Sequence, residues 1–365
     1  MPDSHLAGLT VAVTGATGNV GTALLRRLTD PGSGVAEVRG LARRRPPDEA
    51  PYDRVRWHLV DLREPTAETL LPAFLDGVDA VVHLAWALQP GRQPELLREV
   101  NVDGTRRVMQ AAVSAGVAHV VHMSSLGAYA PAAVGQRVTE DWPVTGIPSA
   151  QYSRDKAAAE QVVREVVGRR TGTTLTVVRP TLVLQPLASA SIGRYVLGPL
   201  VYGAVRALPH AVARLLPLPA PNVHVGFVHA DDVADALVRI LDRRAAGPFN
   251  LTAEPIVDAG ELARVLGTRR LPVPAFLVRT ALSAAFHTRM VPTEPGWLDI
   301  GLRAPALDAT RARTVLGWQP EHRGDDVLRQ FVAALGHGEG APGHPLLHPE
   351  GGPARDPGGD PANTP

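Results

Sequence analysis

The chain has 365 residues, 45% of them hydrophobic and 20% charged, a globular composition long enough for two or three folding units. Basic and acidic residues number 37 and 36, a formal net charge of +1, which offers neither a footprint for nucleic acid nor a polybasic membrane anchor. The absence of cysteine excludes disulfide scaffolds, thiolate nucleophiles and Cys-ligated zinc.

Short β-branched runs alternate with helical patterns through the first half. Leu9–Thr14, Glu37–Leu41, Val55–Val60, Ala80–Leu84 and Ala118–Met123 read as strands, mostly apolar along their length, as in strands buried on both faces. Between and after them, Asn19–Thr29, Ala67–Leu75, Pro94–Ala115 and Ala150–Arg170 read as helices, and Thr174–Arg179 as a sixth strand. Such alternation predicts an α/β fold, a doubly wound parallel sheet with helices on both faces, over residues 1–180.

Beyond Pro180 the pattern changes. Apolar positions recur at helical spacing from Ile192 to Leu216. Then Phe227–His229 reads as strand, Asp231–Asp242 as helix, Phe249–Leu251 as strand and Pro272–His287 as an amphipathic helix. Residues 181–335 are therefore expected to contribute to the sheet and to a smaller C-terminal substrate-binding lobe. Residues 336–365 are too poor in apolar side chains to fold and are expected to be disordered, with His337, His344 and His348 inert. No grouping of His, Asp and Glu has metal-ligand spacing. Residues 1–14 lack a targeting pattern, and no apolar run approaches the ~20 residues of a membrane span, so the expectation is a cytoplasmic protein with no span.

Three glycines, Gly15, Gly18 and Gly21, follow the first strand in Thr14-Gly15-Ala16-Thr17-Gly18-Asn19-Val20-Gly21 and lead into a helix. This is a tight variant of the Rossmann dinucleotide fingerprint. Gly15 permits the sharp turn, Gly18 lets backbone approach a pyrophosphate, and Gly21 lets helix and strand pack closely. The helix N-terminus presents free N–H groups to phosphate, which places Thr17, Asn19 and Val20 in the site with the glycines. The second strand lacks the terminal acid that would accept from a ribose 2′-hydroxyl. Ala42 stands there, followed by Arg43 and Arg44, which suit a 2′-phosphate, so NADP(H) is favoured over NAD(H). Asp61 and Leu62 follow the third strand, where Asp61 either meets an adenine amino group or forms a turn.

Tyr152 and Lys156, four apart, share a helix face. Lys156 is the one lysine among the 37 basic residues, kept where arginine serves everywhere else. An ammonium beside a phenol is expected to lower its pKa, letting Tyr152 pass a proton while a nicotinamide carries hydride. Ser124 and Ser125 close the fifth strand at the carboxyl edge, where ligands of such sheets bind.

With these residues in view the chain resembles the extended short-chain dehydrogenase/reductase superfamily, of the NAD-dependent epimerase/dehydratase type. Matching segments are TGATGNVG (14–21), VDL (60–62), HLAW (83–86), NVDGT (101–105), MSSLGAY (123–129), YSRDK (152–156), VVRP (177–180), FVHADDVADA (227–236) and LGWQP (316–320). The resemblance implies a catalytic Ser125, Tyr152 and Lys156. It further implies Lys156 and Ser124 at the cofactor, Leu84 and Ala85 lining it, Pro180 near the nicotinamide, and Asn101 as a structural or proton-relay residue. It also implies a homodimer through helices 94–115 and 150–170. Leu126-Gly127 replaces the acidic pair of the sugar dehydratases, and neither 181–185 nor 221–225 offers an obvious diphosphate clamp, although Arg194, Arg206 and Arg214 remain available. The expected reaction is hydride exchange with a C–OH or C=O of a small, moderately apolar substrate. An epimerase with retained NAD and a nucleotide-sensing protein without turnover are the alternatives.

Overall fold

Val11 and Val13 point to one face of the first strand and Ala12 to the other, and the chain covers both faces with helices. The computed structural model describes residues 5–88, 92–168, 172–197 and 217–337. The expected helical spacing over 198–216, with Arg206 and Arg214, and the tail histidines His344 and His348 lie outside the described residues.

In chain order the strands of the main sheet are β1 (Thr10–Thr14), β2 (Glu37–Ala42), β3 (Arg56–Leu59), β4 (Ala80–His83), β5 (His119–Met123), β7 (Thr174–Pro180) and β11 (Gly247–Leu251). They lie in the order β3-β2-β1-β4-β5-β7-β11, and every pairing is parallel. The strand order reverses between β1 and β4, so the crevice at their carboxyl ends is the ligand position of a doubly wound fold. β6 (Arg137–Val138) pairs with β14 (Ala306–Leu307), and β9 (Leu218–Ala220) with β13 (Arg270–Pro272). A three-stranded sheet runs β12-β10-β8, from Ala253–Asp258, His224–His229 and Leu182–Leu184.

Helices α1 (Asn19–Leu28) and α7 (Ala230–Arg243) cover one face of the main sheet, burying Leu24, Leu25, Val233, Leu237 and Ile240. On the other face, α2 (Ala67–Leu75), α4 (Gly104–Ser114) and α5 (Gln151–Val166) bury Leu71, Phe74, Met109 and Val163. The expected helix 94–115 is α3 (Pro94–Arg98) and α4 joined by a π-helical turn, Glu99–Asp103, and such turns frequently sit at functional sites. After α6 (Ser189–Leu197) and α7 come α8 (Ala259–Val265), α9 (Ala275–His287), α10 (Gly296–Arg303), α11 (Thr310–Leu316) and α12 (Gly324–His337).

The expected helix Pro272–His287 is α9, in which Ala275, Val278, Leu282, Ala285 and Phe286 are half-buried at helical spacing while Phe276 is 66% exposed. Asp231 and Asp232 sit in the first turn of α7, whose N-cap is His229; its ring nitrogen accepts the Asp231 N–H at 3.2 Å. Asp232 instead accepts from the backbone of Glu321 and His322, while fully buried Trp318 donates to the Asp232 carbonyl. Two segments far apart in the chain meet there.

The buried centre of the fold is ionic. Arg179 on β7 pairs its fork with both carboxylate oxygens of Glu160 on α5 at 2.9 Å, both side chains being 1% exposed. Its remaining nitrogen donates to the Tyr129 hydroxyl at 2.8 Å, which donates on to Asn250 on β11 at 2.7 Å. Breaking a buried pair strands a charge and costs about 3–5 kcal/mol, whereas removing both partners is far milder. Arg179→Met is therefore expected to lose about that much stability in urea unfolding, and Arg179→Met with Glu160→Leu to recover most of it. Equal losses in the single and double variants would refute this account.

Candidate active site

The loop after β1 is shaped by what cannot fit there. Gly15 has φ +65°, and a Cβ on it would lie 2.7 Å from the backbone nitrogen of Ala85 and 2.8 Å from Leu84. The strand-to-helix turn and the chain leaving β4 therefore touch backbone to backbone. A Cβ on Gly21 would run into the backbone of Gly15 and Ala16, so the first turn of α1 packs directly on the loop. Gly18 caps α1, and no acidic residue stands in the first turn. The amides of Asn19, Val20 and Gly21 are those a helix cannot satisfy within itself, and they carry the positive end of its dipole. Thr17 is buried beside them.

The Asn19 side chain donates to the Val183 carbonyl at 3.0 Å and accepts from Gln185 at 2.6 Å. β8 brings those groups to the start of α1, so the Asn19 amide fastens the C-terminal segment to the loop and leaves its backbone N–H for the site.

Behind the loop runs a directed chain of hydrogen bonds. Thr105 Oγ1 donates to the Asn101 carbonyl at 2.7 Å, so it accepts from His83 Nε2 at 2.9 Å. His83 Nδ1 is then an acceptor, taking the Thr14 hydroxyl at 2.7 Å, and Thr14 Oγ1 accepts the Ala85 N–H at 3.3 Å. Each link forces the next, which assigns His83 as the neutral Nε2–H tautomer. The Asn101 side chain, in the π turn, exchanges two bonds with the backbone of Ala87, at 2.7 and 2.9 Å. Asn101 is thus a structural clamp on the loop after β4.

At the far end of the crevice, Ala42 is buried at the end of β2, and Arg43 and Arg44 are exposed in the following loop. Burial raises the Asp61 carboxyl, but the Arg63 fork at 2.6 Å and the nearby Arg43 charge outweigh it and hold the group below the usual range. Asp61 thus forms the turn, taking the Arg63 N–H at 3.0 Å. The Leu62 side chain is buried in the core, packed with Leu71 and Phe74.

Ser125, Tyr152 and Lys156 converge at the carboxyl end of β5. Ser125 Oγ accepts the Gly127 N–H at 3.1 Å and shares a hydrogen bond with the Tyr152 phenol. Gly127 packs flat on the Tyr152 ring, with room for no side chain between them. Lys156 Nζ donates to the Met123 carbonyl at 3.0 Å and sits 3.5 Å above the Trp86 ring. Pro180 ends β7 at the same edge. Ser124, expected at the cofactor, donates its hydroxyl to Glu160 and so belongs to the buried ionic network.

The expected depression of the Tyr152 pKa does not hold in this geometry. Burial pushes the phenol up to about 12, opposed by the Ser125 hydrogen bond. Lys156 is 5.9 Å from the phenol ring centroid and directed at Trp86. Burial brings Lys156 down to about 7, opposed by the Glu160 charge. Sequence reasoning missed the aromatic and acidic neighbours. Trp86 meets Tyr152 edge-on at 5.9 Å, and Trp297 of α10 lies 4.7 Å from it on another side. Trp86 belongs to the HLAW segment at 83–86. Nothing local in the sequence marked Trp297 or Glu294.

Buried histidines make folding acid-sensitive. Burial lowers His83 to about 3 and His119 to about 4, and holds His122 well below its ordinary value. Below about pH 6.5 the unfolded chain takes up protons that the native state refuses, so stability falls as pH drops, by up to about 1.4 kcal/mol per pH unit for each such histidine. Urea midpoints are expected to decline from pH 7 to pH 5. A flat profile would contradict these neutral assignments.

The NAD dependent epimerase/dehydratase family matches residues 11–252 of this chain. The dTDP-6-deoxy-L-talose 4-dehydrogenase (NAD(P)(+)) of Kitasatospora kifunensis is 31% identical over 92% of this chain and 98% of that protein. The sterol demethylase protein B of Methylococcus capsulatus is 34% identical over 58% of the chain and 62% of its own length. Among solved structures, DesIV, a dTDP-glucose 4,6-dehydratase from Streptomyces venezuelae with NAD and TYD bound, superposes with a TM-score of 0.65 at 23% identity, over 89% of this chain and 96% of that one. The fold, the glycine loop and the matched span agree. The chain belongs to the NAD-dependent epimerase/dehydratase family.

Proposed function

We propose that this protein is a dehydrogenase or ketoreductase that exchanges hydride between a nicotinamide cofactor, NADP(H) by preference, and a ring C–OH or C=O of a small, moderately apolar substrate. The observation that carries the reading is the convergence of Ser125, Tyr152 and Lys156 at the carboxyl edge, with Trp86 and Trp297 against the tyrosine. A dinucleotide fits the residues present. The Gly15 turn excludes a Cβ, the first turn of α1 lacks an acid, and Ala42 leaves the end of β2 without a carboxylate. The backbone of residues 15–21, Leu84 and Ala85 would hold it, with Arg43 and Arg44 at its 2′-phosphate.

The bound nicotinamide supplies the hydride donor or acceptor. Tyr152, protonated at neutral pH, donates from its phenol oxygen to a substrate carbonyl oxygen, or recovers that proton in the reverse direction. Ser125 shares the oxygen and fixes its position. Lys156, held between the Met123 carbonyl and the Trp86 face one helical turn from Tyr152, would grip the nicotinamide ribose. Trp86 and Trp297 exclude water from the phenol and offer flat apolar faces. The name of the Kitasatospora relative supports alcohol–ketone chemistry with either cofactor, and that of the Methylococcus relative supports an apolar ring. Dehydration would need an acid and a base beside Tyr152, yet Gly127 lies flat on its ring and Leu126 packs near Tyr129.

Turnover is tested with NADPH and a panel of cyclic ketones. Tyr152→Phe is expected to abolish it while leaving NADPH binding near wild type, and Lys156→Arg to abolish it as well, since a planar fork cannot occupy the ammonium's site between Met123 and Trp86. Full activity in either variant would overturn the assignment. Denaturing the purified protein and identifying released nucleotide separates this reading from an epimerase, for which stoichiometric NAD is expected.

Cofactor choice is tested separately. Arg43→Ala is expected to weaken NADPH binding about tenfold, the loss of one charge-assisted hydrogen bond, and to leave NADH unchanged. Equal effects on the two cofactors would remove Arg43 from the site.

A further inference from the structure

The helix that carries Tyr152 does not cap itself. Its N-cap is Ala150, which has no side-chain acceptor, and its first turn holds no acid. An exposed amide end of that kind is ordinarily closed by a local Ser, Thr, Asp or Asn. Here the acceptor arrives from 143 residues away. Glu294 Oε1 takes the Gln151 N–H at 3.0 Å, and the same carboxylate accepts the backbone N–H of Tyr152 itself.

The segment bearing Glu294 is built to reach this point. A Cβ on Gly296 would lie 2.7 Å from Ala150 Cα and 2.9 Å from the Ser149 carbonyl, so that approach requires glycine. Trp297 then rests against the Tyr152 ring at 4.7 Å. Asp299, one turn into α10, hydrogen-bonds Ser149 and pairs with the Arg279 fork at 2.9 Å, holding the same contact from its other side. Backbone cap, close approach and ring contact all converge on one residue and its immediate neighbours.

We propose that Glu294 is a positioning residue for proton transfer. As a remote N-cap, it holds the first turn of α5, and so the Tyr152 phenol, in reach of Ser125, which makes docking of the C-terminal segment and placement of the tyrosine a single event. This rests on Tyr152 being the proton carrier. Glu294 acts on the tyrosine through the backbone at the start of α5. An acceptor oxygen is what the cap requires, so glutamine serves in its place and alanine does not.

The test needs no substrate. Full-length protein is labelled with 3-fluorotyrosine, and the fluorine resonance absent in Tyr152→Phe is assigned to Tyr152 among the five tyrosines. In Glu294→Ala that resonance is expected to move or broaden, and amide exchange across residues 151–154 to accelerate about tenfold, while the Tyr129 resonance stays in place. Glu294→Gln is expected to restore the wild-type spectrum. A wild-type Tyr152 resonance and exchange rate in Glu294→Ala overturns the proposal, as does a Gln variant that behaves like the Ala variant. Should Glu294→Ala lose the Tyr129 resonance through unfolding, Glu294→Asp, one methylene shorter, carries the test. A broadened Tyr152 signal with Tyr129 intact then supports the cap, and an unchanged one refutes it. Turnover in Tyr152→Phe would remove the catalytic reading and leave the spectral result standing, so the two failures are distinct.

Discussion

The ion pair between Arg179 and Glu160 is the interaction on which the carboxyl edge of the sheet depends. Both groups are almost completely withdrawn from water, so each must be satisfied by the other and by its neighbours. Arg179 uses its fork on Glu160 and the rest of its guanidinium on Tyr129 and the Glu140 carbonyl. Glu160 in turn takes the Ser124 hydroxyl, next to Ser125 and one turn beyond Lys156. The end of β5, the end of β7 and the middle of α5 are thereby held in one register. The three proposed catalytic side chains stand on that frame.

A second constraint sets the cofactor crevice. Thr14, His83, Thr105 and Asn101 form a line in which every proton has one place to go. Burial keeps His83 neutral, and the Thr105 hydroxyl, committed to the Asn101 carbonyl, fixes the ring proton on Nε2. This line joins the end of β1 to the end of β4 and to the π turn. It holds the backbone of Ala85 against Gly15, where the absence of a Cβ is a steric necessity.

Within that frame, desolvation competes with charge. Burial outweighs the opposing Ser125 hydrogen bond and Glu160 charge and drives Tyr152 and Lys156 toward their neutral forms, the phenol to about 12 and the ammonium to about 7. The Trp86 face offers the ammonium partial compensation, worth about 2 kcal/mol for a desolvated cation over an aromatic ring. A neutral phenol is a proton donor, which suits carbonyl reduction. The aromatic enclosure that shapes the site thus also sets the protonation from which it starts.

The alternating pattern of the first 180 residues was sufficient for the parallel sheet, because strands buried on both faces must be apolar throughout and helices must present one apolar stripe. The glycine loop and the Tyr152–Lys156 spacing were equally legible, since both are local geometries written in consecutive residues. The partners of three side chains were not legible: β8 captures the Asn19 amide, the core under α2 takes the Leu62 side chain, and the Ser124 hydroxyl finds its acceptor, Glu160, 36 residues away. Trp297 and Glu294 carried no local signal at all. Their importance comes from a close approach at Gly296, and only the folded chain brings that segment to the amide end of α5. Sequence periodicity determines which residues share a face. Which distant group satisfies a buried donor or stacks on a given ring is decided by tertiary packing, because hydrogen bonds and ring contacts act over a few ångströms and take no account of separation along the chain.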